Sequence, residues 1–516
     1  MTQGAGGPRR AYALDASVRR IENGRVLVGG SPLKMLRLTA SGAALVDRLA
    51  AGDSVPAGSL VDRLLDGGAI HPAPSSAAPG PFTLADITVV IPTFATAVDA
   101  LVNHFGTDHF GRDRPGTDDI GTDRLGSVGR IVVIDDASIP AIDVRRRDDR
   151  DRAHVDVVRR PTNGGPAAAR TDGLALVTTP LVLFVDADVR LPDDGRWLDV
   201  LLAHFVDDRV ALVAPRVASE GGAGRSSAAT NTAATMIAWY EQARAPLDLG
   251  GAPGPVRART RVSYVPSAVW LARVDALRAV GGFDGELRTG EDVDLVWRLD
   301  ERGWRARYEP SAVVHHAPRA TTGAFVRQRF GYGASAGPLA VRHPGALAPV
   351  GVSAWSAAVW GLAMLGPAGV AAGAAVGMGS AAALARRFRH LSHPVAEAMR
   401  LAGRGHLYAG RQLAEAIARP WWPLAALASV ASRRARRVVA VVLVVPALVD
   451  WYRTRRAHQL DPARYLLLRL LDDGAYGLGV WRGALRAGTI APLVPDLTSW
   501  PRPSRYEQRQ RPAADR

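Results

Sequence analysis

Short runs of β-branched and aliphatic residues recur between residues 87 and 214. Each run is apolar at consecutive positions, and stretches of helical periodicity separate one run from the next. This pattern is typical of strands that are buried on both faces of a sheet. We therefore predict an α/β domain with a Rossmann-like, mostly parallel sheet over residues 86–335. The predicted strands are Ile87–Ile91, Arg130–Ile134, Val155–Val158, Leu181–Val185 and Val210–Ala214.

The chain before this domain has a different pattern. Residues 25–30 are typical of a short strand and turn, Thr39 precedes an amphipathic run, and Ser59–Leu65 is a second helical stretch. One strand and two helices within some 50 residues predict a small winged-helix-like module over residues 15–71. The Pro-, Ala- and Ser-rich stretch that follows predicts a linker over residues 72–85.

Residues 343–385 contain no Asp, Glu, Lys or Arg. A membrane-spanning helix needs about 20 apolar residues, so two spans joined at Gly366 and Pro367 would just fit. We predict an apolar helical hairpin over residues 345–385, with a transmembrane hairpin as the first interpretation. A single span and a buried or peripheral helical pair remain open. No apolar segment follows Arg9 and Arg10, so no signal peptide is expected.

Charge is concentrated in the last quarter of the chain. The net charge is +15, and residues 386–516 carry 23 Arg against 9 acidic residues. Four of these Arg residues lie between two apolar runs of 12 residues, Trp421–Ser432 and Val438–Val449, which are too short to span a bilayer. We predict that residues 386–516 are membrane-associated helices at the inner face of the cytoplasmic membrane, with the catalytic domain in the cytoplasm.

Other classes of protein fit the composition less well. A nucleic-acid-binding protein is disfavoured because the Arg residues lack interleaved stacking aromatics and flank apolar runs. The absence of Cys excludes a disulfide scaffold, a thiolate zinc site and a cysteine nucleophile. We expect no nucleic acid partner.

Polar residues follow the predicted strands at their carboxyl ends, where open α/β sheets bind ligands. An Asp at such a position can accept hydrogen bonds from a ribose or a base, and a glycine turn allows close approach of a flat or phosphorylated ligand. Asp186 and Asp188 have the i, i+2 spacing of a pair that binds Mg²⁺ or Mn²⁺ together with substrate phosphates. Such an ion would neutralise the charge on a diphosphate leaving group.

These strings resemble the family 2 glycosyltransferases of the GT-A fold. The matching strings are VVIPTF, VVIDDAS, NGGPAAAR and FVDAD, and the resemblance covers roughly residues 87–335. It implies a UDP-sugar donor and a divalent metal bound by Asp186 and Asp188. The donor-binding residues that it implies are Pro92, Thr93, Asp135, Asp136, Asn163, Gly164, Arg170, Asp186 and Ala187.

The resemblance extends to the acceptor half through GGFD at 281–284 and GEDVDL at 290–295. It implies that Asp292, beside Glu291, is the general base of an inverting transfer, which needs no enzyme nucleophile. The alternative is that both carboxylates only begin a helix. By the same resemblance His316 is a candidate metal ligand or else a loop residue. Arg329 is a candidate diphosphate contact, although QRF departs from the QxxRW of processive synthases.

Three further strings resemble the glycosyltransferase subfamily of the mycofactocin system. They are LRLTASGAALVDRL, RQRFGYGASAGPLAVRHPG and DDGAYGLGVWRG. This resemblance implies transfer of glucose from UDP-glucose to build a β-1,4-linked oligomer on premycofactocin, a peptide-derived redox cofactor. A polyprenyl-phosphate or cell-wall glycosyltransferase is the alternative. Residues 15–71 also resemble peptide-binding winged-helix units, so they either recruit the acceptor or a protein partner, or form a structural cap.

Overall fold

The computed structural model describes residues 9–73, 80–106, 128–144, 154–220, 232–319 and 321–498. These residues form two compact units. The first contains Met1–Glu220 and Ala245–Ala317, and the second contains Gly221–Arg244 and Pro318–Arg516. The predicted linker over residues 72–85 and the end of the predicted basic region lie partly outside the described residues.

The first unit begins with short strands and two helices. Strands β3, β4 and β5 form one antiparallel sheet, β2 pairs with β7, and β1 pairs with β6. Both predicted helices are present, and Thr39 caps the first by accepting a 3.1 Å hydrogen bond from the Gly42 N–H. The elements are β1 Arg9–Arg10, β2 Tyr12–Leu14, β3 Arg19–Ile21, β4 Val26–Gly29, β5 Lys34–Arg37, α1 Ala40–Ala50, β6 Val55–Pro56, α2 Ser59–Asp66 and β7 Ile70–Pro72.

The central sheet of this unit contains all five predicted strands and is mixed rather than wholly parallel. Its order is β10-β9-β8-β11-β15-β13-β16-β12, with β14 beside β16. The first four strands are parallel, whereas β15 runs antiparallel to both of its neighbours. The strands are β8 Ile87–Thr93, β9 Arg130–Asp135, β10 His154–Arg159, β11 Leu181–Val185, β12 Val189–Arg190, β13 Val210–Ser219, β14 Gly254–Pro255, β15 Val269–Arg273 and β16 Arg305–His316.

Helices connect the strands and cover the sheet. Aliphatic side chains from both faces of the strands are buried against these helices, as consecutive apolar positions predict. The helices are α3 Asp99–Gly106, α4 Pro166–Ala175, α5 Arg196–Leu202, α7 Val274–Ala279 and α8 Glu291–Glu301; α6 Ala233–Arg244 belongs to the second unit.

Buried ion pairs fix the N-terminal strands and helices to the sheet. Arg305 on β16 is 7% exposed and lies 2.8 Å from carboxylate oxygens of Asp62, Asp66 and Asp207. Arg261 similarly contacts Asp15 at 2.7 Å. Burial opposes ionisation of Asp15, but hydrogen bonds from His71, Arg261 and Ser17 hold its pKa well below the usual range. These contacts favour the interpretation of residues 15–71 as a structural cap.

The second unit is almost entirely helical. Its helices are α6, α9 Thr322–Ala334, α10 Ala336–Arg342, α11 Ala354–Ala363, α12 Pro367–Arg387, α13 Pro394–Ala418, α14 Trp422–Ala431, α15 Arg433–Thr454 and α16 Pro462–Arg486. Two short parallel strands, β17 Gly351–Ser353 and β18 Asp496–Thr498, pair with each other.

Helix lengths correct the prediction of two membrane spans over residues 345–385. Helices α11 and α12 pack together as a hairpin, but α11 has ten residues and so measures about 15 Å, half of the hydrocarbon thickness. Among the described residues, α12 alone is long and apolar enough to cross a membrane. The apolar residues before α11 are used instead for β17 and its preceding loop.

Helices α9, α10 and α16 approach each other so closely that only glycine fits at the crossing. A Cβ at Gly333 would lie 2.0 Å from the Tyr476 carbonyl oxygen, and one at Gly479 would lie 2.1 Å from the Phe330 carbonyl oxygen. Gly337 and Gly483 meet backbone oxygens at similar distances. Two of the strings that resemble the mycofactocin subfamily are therefore the two sides of one helix contact.

This contact predicts opposite effects for two Gly to Ala changes in α16. Gly479→Ala forces the helices apart, so we expect a loss of about 1–3 kcal/mol and a lower thermal unfolding midpoint. The matched control is Gly474→Ala, where a Cβ meets nothing within 4 Å. There the better helix propensity of Ala should leave the midpoint unchanged or raise it. Equal midpoints for the two variants in thermal unfolding followed by circular dichroism would contradict the close crossing.

Candidate active site

The parallel order of β9, β8 and β11 brings three predicted site segments to one edge of the sheet. Thr93 ends β8, Asp135 ends β9, and Asp186 follows β11 directly. Pro92 is buried within β8, and the Thr93 hydroxyl donates a 2.6 Å hydrogen bond to the Thr96 carbonyl. The carboxyl ends of neighbouring parallel strands meet in this way by construction, so the sequence order alone predicts the convergence.

Asp135 shapes the loop that leaves β9. Its carboxylate accepts hydrogen bonds from the backbone N–H groups of Ser138 at 2.8 Å and Ile142 at 3.3 Å, and from Arg159 at 2.8 Å. The side chain is buried, which opposes ionisation, yet these donors hold the pKa of Asp135 below its usual value. Donor binding by Asp135 stays a prediction, and its contacts within the chain are those of a loop organiser.

Asp136 holds the glycine turn before α4. Its carboxylate accepts hydrogen bonds from the N–H groups of Gly164 at 3.0 Å and Gly165 at 2.8 Å, and it pairs with Arg160. Gly165 has φ of 84°, which favours glycine, and Pro166 then opens the helix. Gly164 therefore lies beside Asp136, and Asn163 directly precedes it in the chain; their role in donor binding stays a prediction.

Two backbone positions at this edge adopt φ angles that are unusual for alanine. Ala95 has φ of 52° and Ala137 has φ of 62°. The Ser138 hydroxyl accepts a 2.9 Å hydrogen bond from the Ala95 N–H and so ties the two loops together. Phe94, between these features, is 55% exposed and offers an aromatic face at the strand end. Sequence reasoning missed Phe94 and Ser138, although both stand inside the quoted strings.

Arg170 joins the end of β11, on the predicted donor side, to the start of α8, on the predicted acceptor side. It is 2% exposed on α4, donates to Glu291 Oε1 at 3.0 Å and to Asp186 Oδ1 at 2.5 Å, and lies over the Phe283 ring. Burial raises the pKa of Asp186, and the Arg170 charge opposes that shift. The structure thus brings three predicted site residues together, with Arg170 between Asp186 and Glu291.

Helix α8 places Glu291 and Asp292 at its first turn. Gly290 precedes the helix with φ of 85°, and Asp292 accepts a 3.4 Å hydrogen bond from the Ser267 N–H. Burial, and then the neighbouring Glu291 charge, raise the pKa of Asp292 to about 7. Asp292 remains partly exposed, whereas Glu291 is buried against Arg170. The helix-start interpretation is confirmed, and the role of Asp292 as a general base stays a prediction with which its raised pKa is compatible.

The candidate metal ligands form a pair rather than a triad. Asp188 Oδ2 lies 3.0 Å from His316 Nε2, a separation that two adjacent ligands of one octahedral ion have at bond lengths of about 2.1 Å. Asp186 precedes Asp188 in the chain, and the partly exposed Ala187 lies between them. The Asp186 carboxylate faces Arg170. Among the described residues no group of three or more His, Cys, Asp or Glu side chains is arranged around a single point.

Arg329 lies in the second unit and is committed to partners there. It is 2% exposed, lies 2.8 Å from Glu241 and 3.2 Å from Asp472, and donates to Gln328 at 2.8 Å. Its guanidinium faces carboxylates inside this unit. Its contact with a diphosphate stays a prediction. Tyr240 donates to the other oxygen of Asp472 at 2.9 Å.

Arg298 supports the ring on which Arg170 lies, and sequence reasoning gave it no role. It contacts Asp294 at 2.7 Å and donates to the carbonyl of Gly282 at 2.7 Å, just before Phe283. Phe283 stacks on Trp270 and meets Phe184 edge-on. The i, i+4 spacing of Asp294 and Arg298 is the signal that would have indicated this support.

Residues 126–258 match the family Glycosyl transferase family 2. Two proteins from different Mycobacterium tuberculosis strains, each a pre-mycofactocin glycosyltransferase, are 40% identical to the chain over 501 residues, covering 94% of it and 97% of theirs. A succinoglycan biosynthesis protein of Rhizobium meliloti is 33% identical over 127 residues, covering 23% of the chain and 38% of that protein.

Solved structures align at lower similarity. A Pyrobaculum calidifontis mannosyltransferase in complex with GDP-Man and Mn²⁺ has 18% identity and a TM-score of 0.33, covering 64% of this chain and 90% of its own. S. aureus TarS in complex with UDP-GlcNAc has 18% identity and a TM-score of 0.31, covering 50% and 67%.

A mixed α/β sheet with carboxylates at its edge, and the sequence match in that region, define a glycosyltransferase of family 2. The chain belongs to this family. Within it, the pre-mycofactocin glycosyltransferases of Mycobacterium tuberculosis are the relatives that it resembles over almost its whole length, as the three subfamily strings predict.

The raised pKa of Asp292 predicts the pH dependence of transfer. A base must be deprotonated, so kcat/KM should rise with pH and level off above about 7. Glu291→Gln removes a neighbouring negative charge, so the pKa of Asp292 falls and the profile moves to lower pH. The measurement is initial rate against pH for wild type and variant.

The matched control for this shift is Glu301→Gln, at the other end of α8. It removes the same charge far along the helix and should leave the midpoint of the profile in place. An identical midpoint in Glu291→Gln and wild type would show that Asp292 is not the titrating group.

Proposed function

We propose that the protein transfers glucose from UDP-glucose to premycofactocin with inversion, and extends it as a β-1,4-linked oligomer. The observation that carries the proposal is Asp292, a partly exposed carboxyl group whose pKa lies near neutrality at the acceptor side of the site. The similarity to pre-mycofactocin glycosyltransferases over 94% of the chain supports the choice of acceptor. Glucose and its linkage come from the subfamily resemblance.

In the proposed reaction Asp292 accepts the proton of the acceptor hydroxyl as that oxygen attacks the anomeric carbon. The bond from this carbon to the diphosphate breaks in the same displacement, and UDP leaves. Glu291 is held by Arg170 at 3.0 Å, and the carboxyl group with the raised pKa is its neighbour Asp292. Asp136, Asn163 and Gly164 shape the donor side of the cleft through the turn before α4.

Asp188 and His316 are the side chains suited to hold a divalent ion. Asp186 is two residues before Asp188 in the chain. Such an ion, when bound with the donor, neutralises charge on the diphosphate. Arg170 keeps Asp186 in place, and in doing so it keeps a second carboxylate near the pair.

We further propose that the enzyme works at the inner face of the cytoplasmic membrane, with its catalytic domain in the cytoplasm. The basic composition of residues 386–516 and the apolar helix α12 support this location. Residues 15–71 are a candidate surface for a protein partner, in addition to their ion-paired contact with the sheet.

The decisive assay offers purified protein UDP-glucose, UDP-galactose and UDP-GlcNAc in turn, with Mn²⁺ and premycofactocin. Mass spectrometry should show successive additions of one hexose from UDP-glucose. Polyprenyl phosphate serves as the competing acceptor, and hexose found on the lipid alone would overturn the proposal in favour of a cell-wall enzyme.

In the same assay Asp292→Asn should lower kcat by about 10²–10⁴-fold because the acceptor loses its base. Binding of UDP, measured by calorimetry, should be unchanged. A parallel loss of UDP binding would instead give Asp292 a structural role. Asp300→Asn, in the last turn of α8, is a control for removing a carboxylate from this helix.

Removal of metal predicts a separate loss. EDTA should abolish turnover, and Mn²⁺ should restore it. Asp188→Asn should raise the Mn²⁺ concentration needed for half-maximal rate by at least about tenfold. Changing a residue that only hydrogen-bonds a metal ligand already lowers metal affinity by about that much. The unfolding midpoint should stay constant, because Asp188 is exposed. Unchanged Mn²⁺ dependence would remove Asp188 from the metal site.

A further inference from the structure

Helix α15 carries an apolar stripe that the second unit leaves exposed. At 100° per residue its four side chains fall within about 60° of arc, so they form one line along the helix. Each is between 39% and 59% exposed. They are Val441, Val445, Leu448 and Tyr452.

The opposite side of α15 is fixed to the protein. Asp450 lies about 180° from the stripe by the same geometry, and it contacts Arg469 at 2.7 Å and also Arg244. Ala447 is buried, and the Trp451 indole donates to the Leu460 carbonyl at 2.8 Å. The outward direction of the stripe is therefore set by contacts on its other face.

Exposed Arg side chains stand at both ends of the stripe. Arg434 and Arg437 precede it and fall on the stripe's side of the helix by angle, and Arg455 and Arg456 follow directly after α15 ends at Thr454. Asp450 is the only acidic residue of α14 and α15, and it faces inward. The outward face of α15 is thus apolar in the middle and cationic at its two ends.

The length of the stripe excludes a span and fits a helix that lies flat. The uncharged run from Val438 to Val449 has 12 residues, or about 18 Å, against about 30 Å of hydrocarbon. Helix α14 packs against α15 and adds its own exposed row at i, i+3 and i+6, formed by Leu424, Leu427 and Val430. Such a face suits the boundary between headgroups and acyl chains.

We infer that the outward face of α15, with α14 beside it, docks the protein on an anionic lipid surface, with the stripe at the acyl boundary and the four Arg side chains among the phosphates. This inference deepens the membrane association proposed above and rests on it. A second copy of the chain is a poorer occupant, because pairing this face with itself in either direction brings Arg onto Arg.

The test is co-sedimentation of the full-length protein with phosphatidylcholine vesicles, with or without about one third phosphatidylglycerol. Wild type should bind the anionic vesicles more tightly. Arg434→Glu with Arg437→Glu should weaken that binding by at least about tenfold. Val441→Asp should weaken binding to both kinds of vesicle, since it places a charge in the stripe.

Matched controls lie on the N-terminal strands and helices. Arg25→Glu with Arg63→Glu makes the same change in net charge at exposed positions, and Leu33→Asp makes a comparable apolar-to-acidic change at a residue that is 64% exposed. Both should bind vesicles as wild type does. Unchanged binding in the α15 variants, or wild type that ignores anionic vesicles, would overturn the inference. So would a wild-type dimer that these variants turn into monomers by analytical ultracentrifugation.

Each α15 variant is also assayed for glycosyl transfer to a water-soluble acceptor without vesicles. All of them should match wild type, because α15 carries none of the site residues. If no glycosyl transfer is found in any of them, the proposed reaction fails while the vesicle result still stands. Loss of vesicle binding with full transfer separates the two proposals.

Discussion

The site depends on one buried guanidinium that holds two carboxylates from different halves of the domain. Arg170 reaches Asp186 at the end of β11 and Glu291 at the start of α8. Because Arg170 and Glu291 are buried, loss of the cation would leave the Glu291 carboxylate without its partner, at a cost of about 3–5 kcal/mol. The end of β11 and the start of α8 are therefore fixed to each other by charge as well as by packing.

This bridge also explains why adjacent carboxylates take different roles. Glu291 is buried and accepts a hydrogen bond from Arg170. Asp292 is partly exposed, and its pKa is raised by burial and by the neighbouring Glu291 charge. Two carboxyl groups of similar chemistry therefore have different surroundings, and the proposed proton acceptor is the one that Arg170 does not bind.

The hydrophobic pattern of the sequence predicted the strands whose positions depend on local sequence. All five strands were predicted from consecutive β-branched residues, but the expected burial is wrong for β10, which lies at the sheet edge with Val157 and Val158 exposed. Strand β16 was not predicted, because its Arg305 and Arg307 are buried against Asp207 and, for Arg305, against acids far along the chain. The partners of Arg329, Glu241 and Asp472, were likewise not predicted because they are distant in sequence, and its contact with a diphosphate stays a prediction. A single sequence does not show which charges will meet.

Pairing inside the second unit also shapes the charge that it presents. Asp450, Asp472 and Asp473 face inward, where they meet Arg244, Arg329, Arg419 and Arg469. These acidic side chains are thus paired with Arg inside the unit, while the Arg residues at the ends of α15 stay exposed. Within residues 386–498, the part of this region that the structure describes, most of the Arg side chains are exposed. A buried network that stabilises the helices is what leaves their outer face both apolar and basic.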